Sequence, residues 1–200
     1  KFDLKTLSDL ELAELALHAT DWYVRHARRI LQERAATKAG VSAEARARLE
    51  QIAGTHADDT RRLRALWALH VAGGIDEKLL LEKMRDKSPY VRGWCVQLAC
   101  EQGARMFPTW SMGELAKSDP SPVVRLYIAS ALPKYDPDTR LEFLSLLLAH
   151  AEDAGDHNLP LMYWYAAESL AAYDPKLAAD LLTDCRIDLV RNFLVRRLAQ

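Results

Sequence analysis

The chain has 200 residues, of which 50% are hydrophobic and 28% are charged, a composition typical of a globular fold and unlike disordered or fibrous proteins. Its 27 Lys and Arg residues and 28 Asp and Glu residues give a net charge of −1. This balance argues against a nucleic-acid partner, because dedicated nucleic-acid binders carry a clear basic excess. No apolar run reaches the roughly 18 residues that a membrane span needs, so we expect no membrane span.

Leu, Ala and Arg, all strong helix formers, are the commonest residue types, whereas the chain has only eight Gly and eight Pro, which favours helices over a turn-rich all-β fold. Apolar residues at three- and four-residue steps predict twelve helices in six antiparallel pairs. The first helices of the pairs are predicted near 8–18, 42–53, 76–86, 111–118, 138–152 and 176–183, and the second helices near 21–38, 59–72, 89–102, 122–133, 160–172 and 187–199. Repeated helix pairs joined by short loops predict an all-α fold, an α-solenoid (α-α superhelix), as one domain over residues 1–200.

Capping patterns support several of the predicted helix starts. Ser8 and Glu11 have the spacing of a capping box, in which each side chain satisfies a backbone N–H of the other. Four further starts place a Ser or Asp oxygen before a proline at the first helical position, where the missing N–H costs nothing. These starts are at 88–89, 121–122, 136–137 and 174–175.

A short phrase recurs where the second helices begin: a turn with Asp, Ser or Pro, then an apolar residue, then Arg. In one copy Tyr163 replaces the arginine, as an alignment of the Tyr-Asp-Pro turns at 135–137 and 173–175 indicates. The phrase falls at residues 25, 64, 92, 125, 163 and 191, a mean spacing of about 33 residues.

The sequence Asp-Pro-Ser-Pro-Val-Val-Arg at 119–125, followed by Ala129 and Leu132 at helical steps, resembles a HEAT repeat. The spacing is shorter than the ~40–47 residues usual for HEAT and armadillo units, so the short-repeat variety fits better. In such stacks the arginine commonly pairs with an acidic turn residue of the same or the next repeat, and the resemblance therefore implies a structural ladder between repeats. Its expected members are Arg25, Arg64, Arg92, Arg125 and Arg191, with Asp21 and Asp119 as acidic partners. An anion-binding row of arginines is the alternative reading.

The segments at 21–34 and 64–70 also resemble the HEAT segment of planctomycete-type membrane-bound dehydrogenases. Those extracytoplasmic proteins join a sorbosone-dehydrogenase-like propeller, HEAT repeats and a c-type cytochrome module. The resemblance implies an extracytoplasmic location and a place within a longer multidomain protein, which the start at Lys1 and the apolar-periodic end also suggest. It carries over no catalytic residue, because Cys95, Cys100 and Cys185 do not form the Cys-x-x-Cys-His motif that attaches haem.

Aromatic residues concentrate on the second helices, which line the concave face of such solenoids. Most aromatic residues at helical spacing belong to a core, but Tyr163, Trp164 and Tyr165 are consecutive and span about 200° of a helix, so one of them should reach the surface. Tyr and Trp are also favoured at protein interfaces. The sequence therefore predicts a possible interaction surface of Tyr163, Trp164, Tyr165, Tyr90 and Trp94.

Patterns that carry catalysis or bind cofactors are absent from the sequence. No two of the six histidines have zinc-ligand spacing, and no phosphate loop, nucleophile elbow or calcium loop occurs. Two arginine-rich runs, at 25–38 and 61–64, are expected to be solvated helix faces, with a phosphate-binding groove as the alternative.

We therefore predict a non-catalytic scaffold that binds a protein partner or other domains of its own chain, with no cofactor, no metal and no small-molecule ligand. The alternatives are a nucleic-acid-binding protein similar to HEAT-like DNA-alkylation repair enzymes, and an accessory solenoid that handles a prosthetic group, as bilin-lyase-like HEAT proteins do.

Overall fold

Twelve α-helices form the described part of the chain, residues 3–103 and 109–200 of a computed structural model. The first helices of the pairs are α1 (Asp9–Glu14), α3 (Ala43–Thr55), α5 (Glu77–Lys83), α7 (Thr109–Ser118), α9 (Pro137–Leu148) and α11 (Pro175–Asp184). The second helices are α2 (Asp21–Ala35), α4 (Asp59–Val71), α6 (Pro89–Gly103), α8 (Pro122–Ala131), α10 (Leu159–Tyr173) and α12 (Asp188–Leu198). No strand occurs within these residues, so the all-α prediction and the position of each helix are confirmed.

The chain divides into two compact units, residues 1–91 and 92–200, where the sequence predicts one repeat domain. In the first unit, α1 packs on α3 and α3 on α5, while α2 packs on α4. In the second unit, α7 packs on α9 and α9 on α11, while α8 packs on α10 and α10 on α12. First helices thus stack on first helices and second helices on second helices, which is the packing of an α-solenoid.

Apolar residues at helical spacing supply the core of each pair. Along α2, the side chains of Val24, Ala27, Ile30 and Leu31 are all buried, as their three- and four-residue steps predict. Helix α10 is buried over a wider face because most of its residues are apolar, and Ala166, Ala167 and Leu170 pack against its neighbours. Burial of these apolar side chains is the main stabilising contribution.

The helix starts follow the capping patterns in part. Ser8 and Glu11 form the predicted capping box, and the Asp136 side chain accepts a hydrogen bond from the Thr139 amide at 3.0 Å. The expected Ser121 cap is wrong, since its side chain makes no capping bond. Asp119 secures that turn instead, because its Oδ1 accepts a hydrogen bond from the Ser121 amide at 2.9 Å.

A glycine allows α8 to approach α6 closely. A Cβ on Gly93 would lie 2.6 Å from the ring of Tyr127, closer than side chains ever pack. The Tyr127 ring therefore lies directly on the backbone of α6, and its centroid is 5.9 Å from that of the Trp94 ring.

In the described residues, no helix is both long and apolar enough to cross a membrane, in agreement with the sequence.

Candidate functional site

Arginine is the fourth residue of four second helices, at Arg62, Arg92, Arg125 and Arg191. Three of them are seen to donate to the carbonyl oxygen six residues earlier. Arg62 donates to His56 O at 2.7 Å, Arg125 donates to Asp119 O at 2.8 Å, and Arg191 donates to Cys185 O. The arginine side chain therefore closes the turn that precedes its own helix.

Three of these arginines also form bidentate ion pairs with an aspartate that precedes the next second helix. The Nε and Nη2 atoms of Arg62 lie 2.9 and 2.7 Å from the carboxylate oxygens of Asp86. The same atoms of Arg92 lie 2.7 and 2.8 Å from those of Asp119, and Arg125 Nε lies 2.7 Å from Asp153. These three pairs, which we term the Arg–Asp ladder, each join one helix pair to the next.

The side chains of the Arg–Asp ladder are buried. The exposed fraction is 2% for the side chains of both Arg125 and Asp153, and the pairs Arg62–Asp86 and Arg92–Asp119 are nearly as buried. A guanidinium matches a carboxylate with two parallel hydrogen bonds, which is the geometry that compensates best for lost hydration. The removal of either partner would leave a charge buried without compensation.

Two of the ladder carboxylates also shape their own turn. Asp86 Oδ1 accepts the Ser88 amide at 2.9 Å, just as Asp119 accepts the Ser121 amide. Burial alone would raise the pKa of Asp86, but the hydrogen bonds from Arg62 and from the Ser88 amide lower it below its ordinary value. Asp86 therefore remains charged while it holds two consecutive helix pairs together.

The third ladder pair includes a tyrosine. The hydroxyl of Tyr163 donates to Asp153 Oδ2 at 2.8 Å, and Asp153 also accepts from Arg125. Burial would lower the pKa of Arg125, but the hydrogen bonds to Asp153 raise it above its ordinary value. Burial and the bond to Asp153 raise the pKa of the Tyr163 hydroxyl, so the hydroxyl keeps its proton.

The expected pair of Arg25 with Asp21 is present, but neither Arg25 nor Arg64 forms a buried bidentate pair of the ladder. Arg25 is the fifth residue of α2 and pairs with Asp21 of the same helix, and 72% of its side chain is exposed. Arg64, the sixth residue of α4, reaches back to the preceding helix pair, with Nη2 at 3.2 Å from Asp21 and Nη1 at 3.0 Å from His18 O. The buried position in α4 belongs to Arg62 instead.

The predicted interaction surface is divided between the interior and the exterior. Tyr163 is fully buried, so its inclusion in a surface is wrong: the ring is part of the core and the hydroxyl part of the ladder. Tyr165 and Tyr90 are each 58% exposed. Trp164 and Trp94 are half-buried.

An aromatic residue is the sixth residue of each second helix in the second unit: Trp94, Tyr127, Trp164 and Phe193. All four rings are half-buried. The Trp94 and Tyr127 rings form one pair, and the Trp164 and Phe193 rings form another with centroids 5.2 Å apart. Tyr165 stands two residues after Tyr163, as Tyr127 does after Arg125, and is exposed; we term these five residues the aromatic face.

Sequence reasoning missed Arg62, Asp86 and Asp153. The signal that identifies Arg62 is its distance from the N-cap Asp58, which is the same as that of Arg125 from the N-cap Ser121. Asp86 stands two residues before Ser88, as Asp119 does before Ser121. Asp153 has no such signal, because Asp156 occupies the equivalent place and accepts the Asn158 amide.

No group of three potential metal-ligating side chains converges within residues 3–103 and 109–200. Comparisons of the chain with protein-family models, with curated proteins and with solved structures found no match. The aromatic face and the Arg–Asp ladder are thus the features on which a functional conclusion depends.

Proposed function

We propose that this chain is a non-catalytic helical-repeat scaffold that binds protein, either other domains of its own polypeptide or a separate partner. The aromatic face carries the proposal, since half-exposed rings recur at one position of four second helices. Large rings bring contact area at a low cost in conformational entropy, and for this reason Tyr and Trp are enriched where interfaces gain most of their energy.

The ladder supports the same function. Each ladder carboxylate is occupied by guanidinium donors and further held by an amide or a hydroxyl, so these buried charges fix the register between helix pairs. A fixed register places the rings of the aromatic face at constant intervals. A preorganised surface binds with a smaller entropy loss than a mobile one.

The resemblance noted in the sequence suggests a context, in which the scaffold connects a propeller and a cytochrome module of an extracytoplasmic dehydrogenase. The sequences that flank this segment in its gene test that context directly. A propeller before it and a Cys-x-x-Cys-His motif after it would support the context, and their absence would refute it.

Binding to the flanking domains of the same polypeptide, expressed separately, tests the scaffold itself by calorimetry. Tyr165→Ala should weaken binding by about tenfold or more, because it removes an exposed ring of the aromatic face. Tyr173→Ala is the matched control, since this tyrosine is still more exposed but lies at the end of α10. Equal effects of the two substitutions would refute the role of the aromatic face, and no binding at all would refute binding to other domains of the same polypeptide.

A further inference from the structure

Two guanidinium groups contact a single carboxylate between α2 and α4 in the first unit, and a third lies nearby. Arg25 Nε contacts Asp21 Oδ2, and Arg64 Nη2 lies 3.2 Å from Asp21 Oδ1. Arg28, one turn further along α2, is close enough to interact electrostatically with all three residues. We term Arg25, Arg28 and Arg64 the arginine cluster; with Asp21 included, its net charge is +2.

Arg28 shows that the cluster lacks negative charge. Its guanidinium carbon lies 5.2 Å from the centroid of the Trp67 ring, which is a cation–π contact and not an ion pair. Burial lowers the pKa of Arg28, Asp21 opposes this effect, and the like charges of Arg25 and Arg64 lower the pKa further. The protein alone therefore holds three cations together against their mutual repulsion.

Arg64 joins two helix pairs of the first unit, since its side chain is 12% exposed and also donates to His18 O, but stability does not account for Arg25. The pair Arg25–Asp21 is exposed, and exposed pairs contribute only marginally because water and salt screen them. In the Arg–Asp ladder, by contrast, each arginine has its own carboxylate. A second anion at the cluster would supply the charge that Asp21 alone does not.

We propose that the arginine cluster binds the carboxylate groups of an acidic segment in a protein partner. This inference rests on the proposed scaffold function, for which it names the chemistry of the partner. Guanidinium forks bind carboxylates in bidentate geometry.

Charge complementarity favours a peptide over a nucleic acid. A duplex is bound through many phosphate contacts spread along its backbone. The cluster instead places three cations near a single carboxylate. A short acidic segment matches such a localised charge.

Fluorescence anisotropy with a labelled, glutamate-rich peptide that contains one central phenylalanine tests the inference. We expect saturable binding that weakens as salt is added, and no binding of the peptide in which glutamine replaces glutamate. Arg25→Gln combined with Arg28→Gln should weaken binding by at least about tenfold, because two of the three cations are removed.

Two further variants distinguish a binding site from a general charge effect. Arg29→Gln removes the same charge from the adjacent position of α2, but Arg29 pairs with Glu33 and lies on the side that faces Leu4 and Lys5. It should leave the affinity within about twofold of the unsubstituted protein. Asp21→Asn should strengthen binding, because it removes the carboxylate that competes with the peptide.

Several results would overturn the inference: equal effects of the Arg29 and the Arg25/Arg28 substitutions, weaker binding by Asp21→Asn, or duplex DNA bound more tightly than the peptide. Displacement of the peptide by inorganic pyrophosphate at equal concentration would also overturn it, since the cluster would then prefer phosphate.

If Tyr165→Ala abolishes binding to the flanking domains while the acidic peptide does not bind, the scaffold stands and only this inference fails. The reverse result refutes the scaffold context and leaves the acidic site.

Discussion

Arg125 in the second unit and Arg25 in the first follow the same sequence phrase, an apolar residue and then arginine near the start of a second helix, yet their environments are opposite. Arg125 is the fourth residue of α8 and is paired with Asp153 where neither side chain meets solvent. Arg25 is the fifth residue of α2 and extends into solvent beside Asp21. Val24 occupies the fourth position of α2 and is buried.

The difference shows that the position on the helix, more than the local phrase, decides the role of an arginine. One residue along an α-helix turns a side chain by about 100°. In α2 and α8 the fourth residue, Val24 or Arg125, faces the interior, whereas the fifth residue of α2, Arg25, faces outward. The first unit therefore holds both kinds of arginine, the buried Arg62 at the fourth position of α4 and the exposed Arg25 at the fifth position of α2.

Arg125→Ala should produce the largest loss of stability, about 3–5 kcal/mol in the free energy of unfolding, measured by urea denaturation. The substitution leaves Asp153 as a buried charge with only the Tyr163 hydroxyl and distant groups to stabilise it. Arg191→Ala is the control at the same helix position, and it should cost less because Arg191 is more exposed and donates to a carbonyl. Equal losses from the two variants would contradict the ladder.

The variants Arg62→Ala and Arg64→Ala test which arginine of α4 stabilises the stack: the fourth residue of the helix, or the arginine of the recurring sequence phrase. We expect a loss of about 3 kcal/mol for Arg62, whose carboxylate partner is buried, and of at most about 1 kcal/mol for Arg64, whose partner Asp21 is half-exposed. Urea denaturation of both variants in the same buffer measures the difference. A larger loss for Arg64 would show that the phrase, and not the helix position, identifies the ladder.

The ladder should also make stability depend on acid pH. The folded-state pKa of Asp86 is lowered, so its contribution is complete above the unfolded-state pKa of about 3.9 and is lost as the pH falls through the folded-state pKa. Asp86→Asn should be less stable than the unsubstituted protein near neutral pH and lose less stability between pH 5 and pH 3. If the free energy of unfolding of the two proteins falls equally between pH 5 and pH 3, Asp86 does not cause the pH dependence.

Arg25→Ala should have the smallest effect, within about 0.5 kcal/mol, because its pair with Asp21 is exposed. Thermal unfolding followed by circular dichroism measures this change. A loss comparable with that of Arg62→Ala would mean that Arg25 stabilises the stack and that the surface arginines of the first unit are structural.

The fold could be predicted from the sequence because its determinants are local. The capping box at Ser8, the Asp136-Pro137 start and the apolar steps of α2 each specify a helix without reference to distant residues. Stacked helix pairs add contacts mainly between neighbours, so a local description extends to the whole of each unit.

The ladder could be predicted only in part, because its geometry depends on where each helix begins. The sequence identified Arg92 and Arg125 correctly as paired residues, since a Ser-Pro turn fixes the start of both helices. It selected Arg64 instead of Arg62, because α4 has arginines at 61, 62 and 64 and the sequence alone does not show that the helix begins after Asp58. It also left Tyr163 among the surface candidates, because no pattern shows that Asp153 receives its hydroxyl.

The direction of the ladder has a consequence for how the protein is made. Each ladder arginine meets its carboxylate 24 to 28 residues later in the chain, never earlier. During synthesis, a helix pair that has left the ribosome keeps an uncompensated cation until the following turn emerges. Each ladder pair can therefore form only after the turn that follows its helix pair has been synthesised.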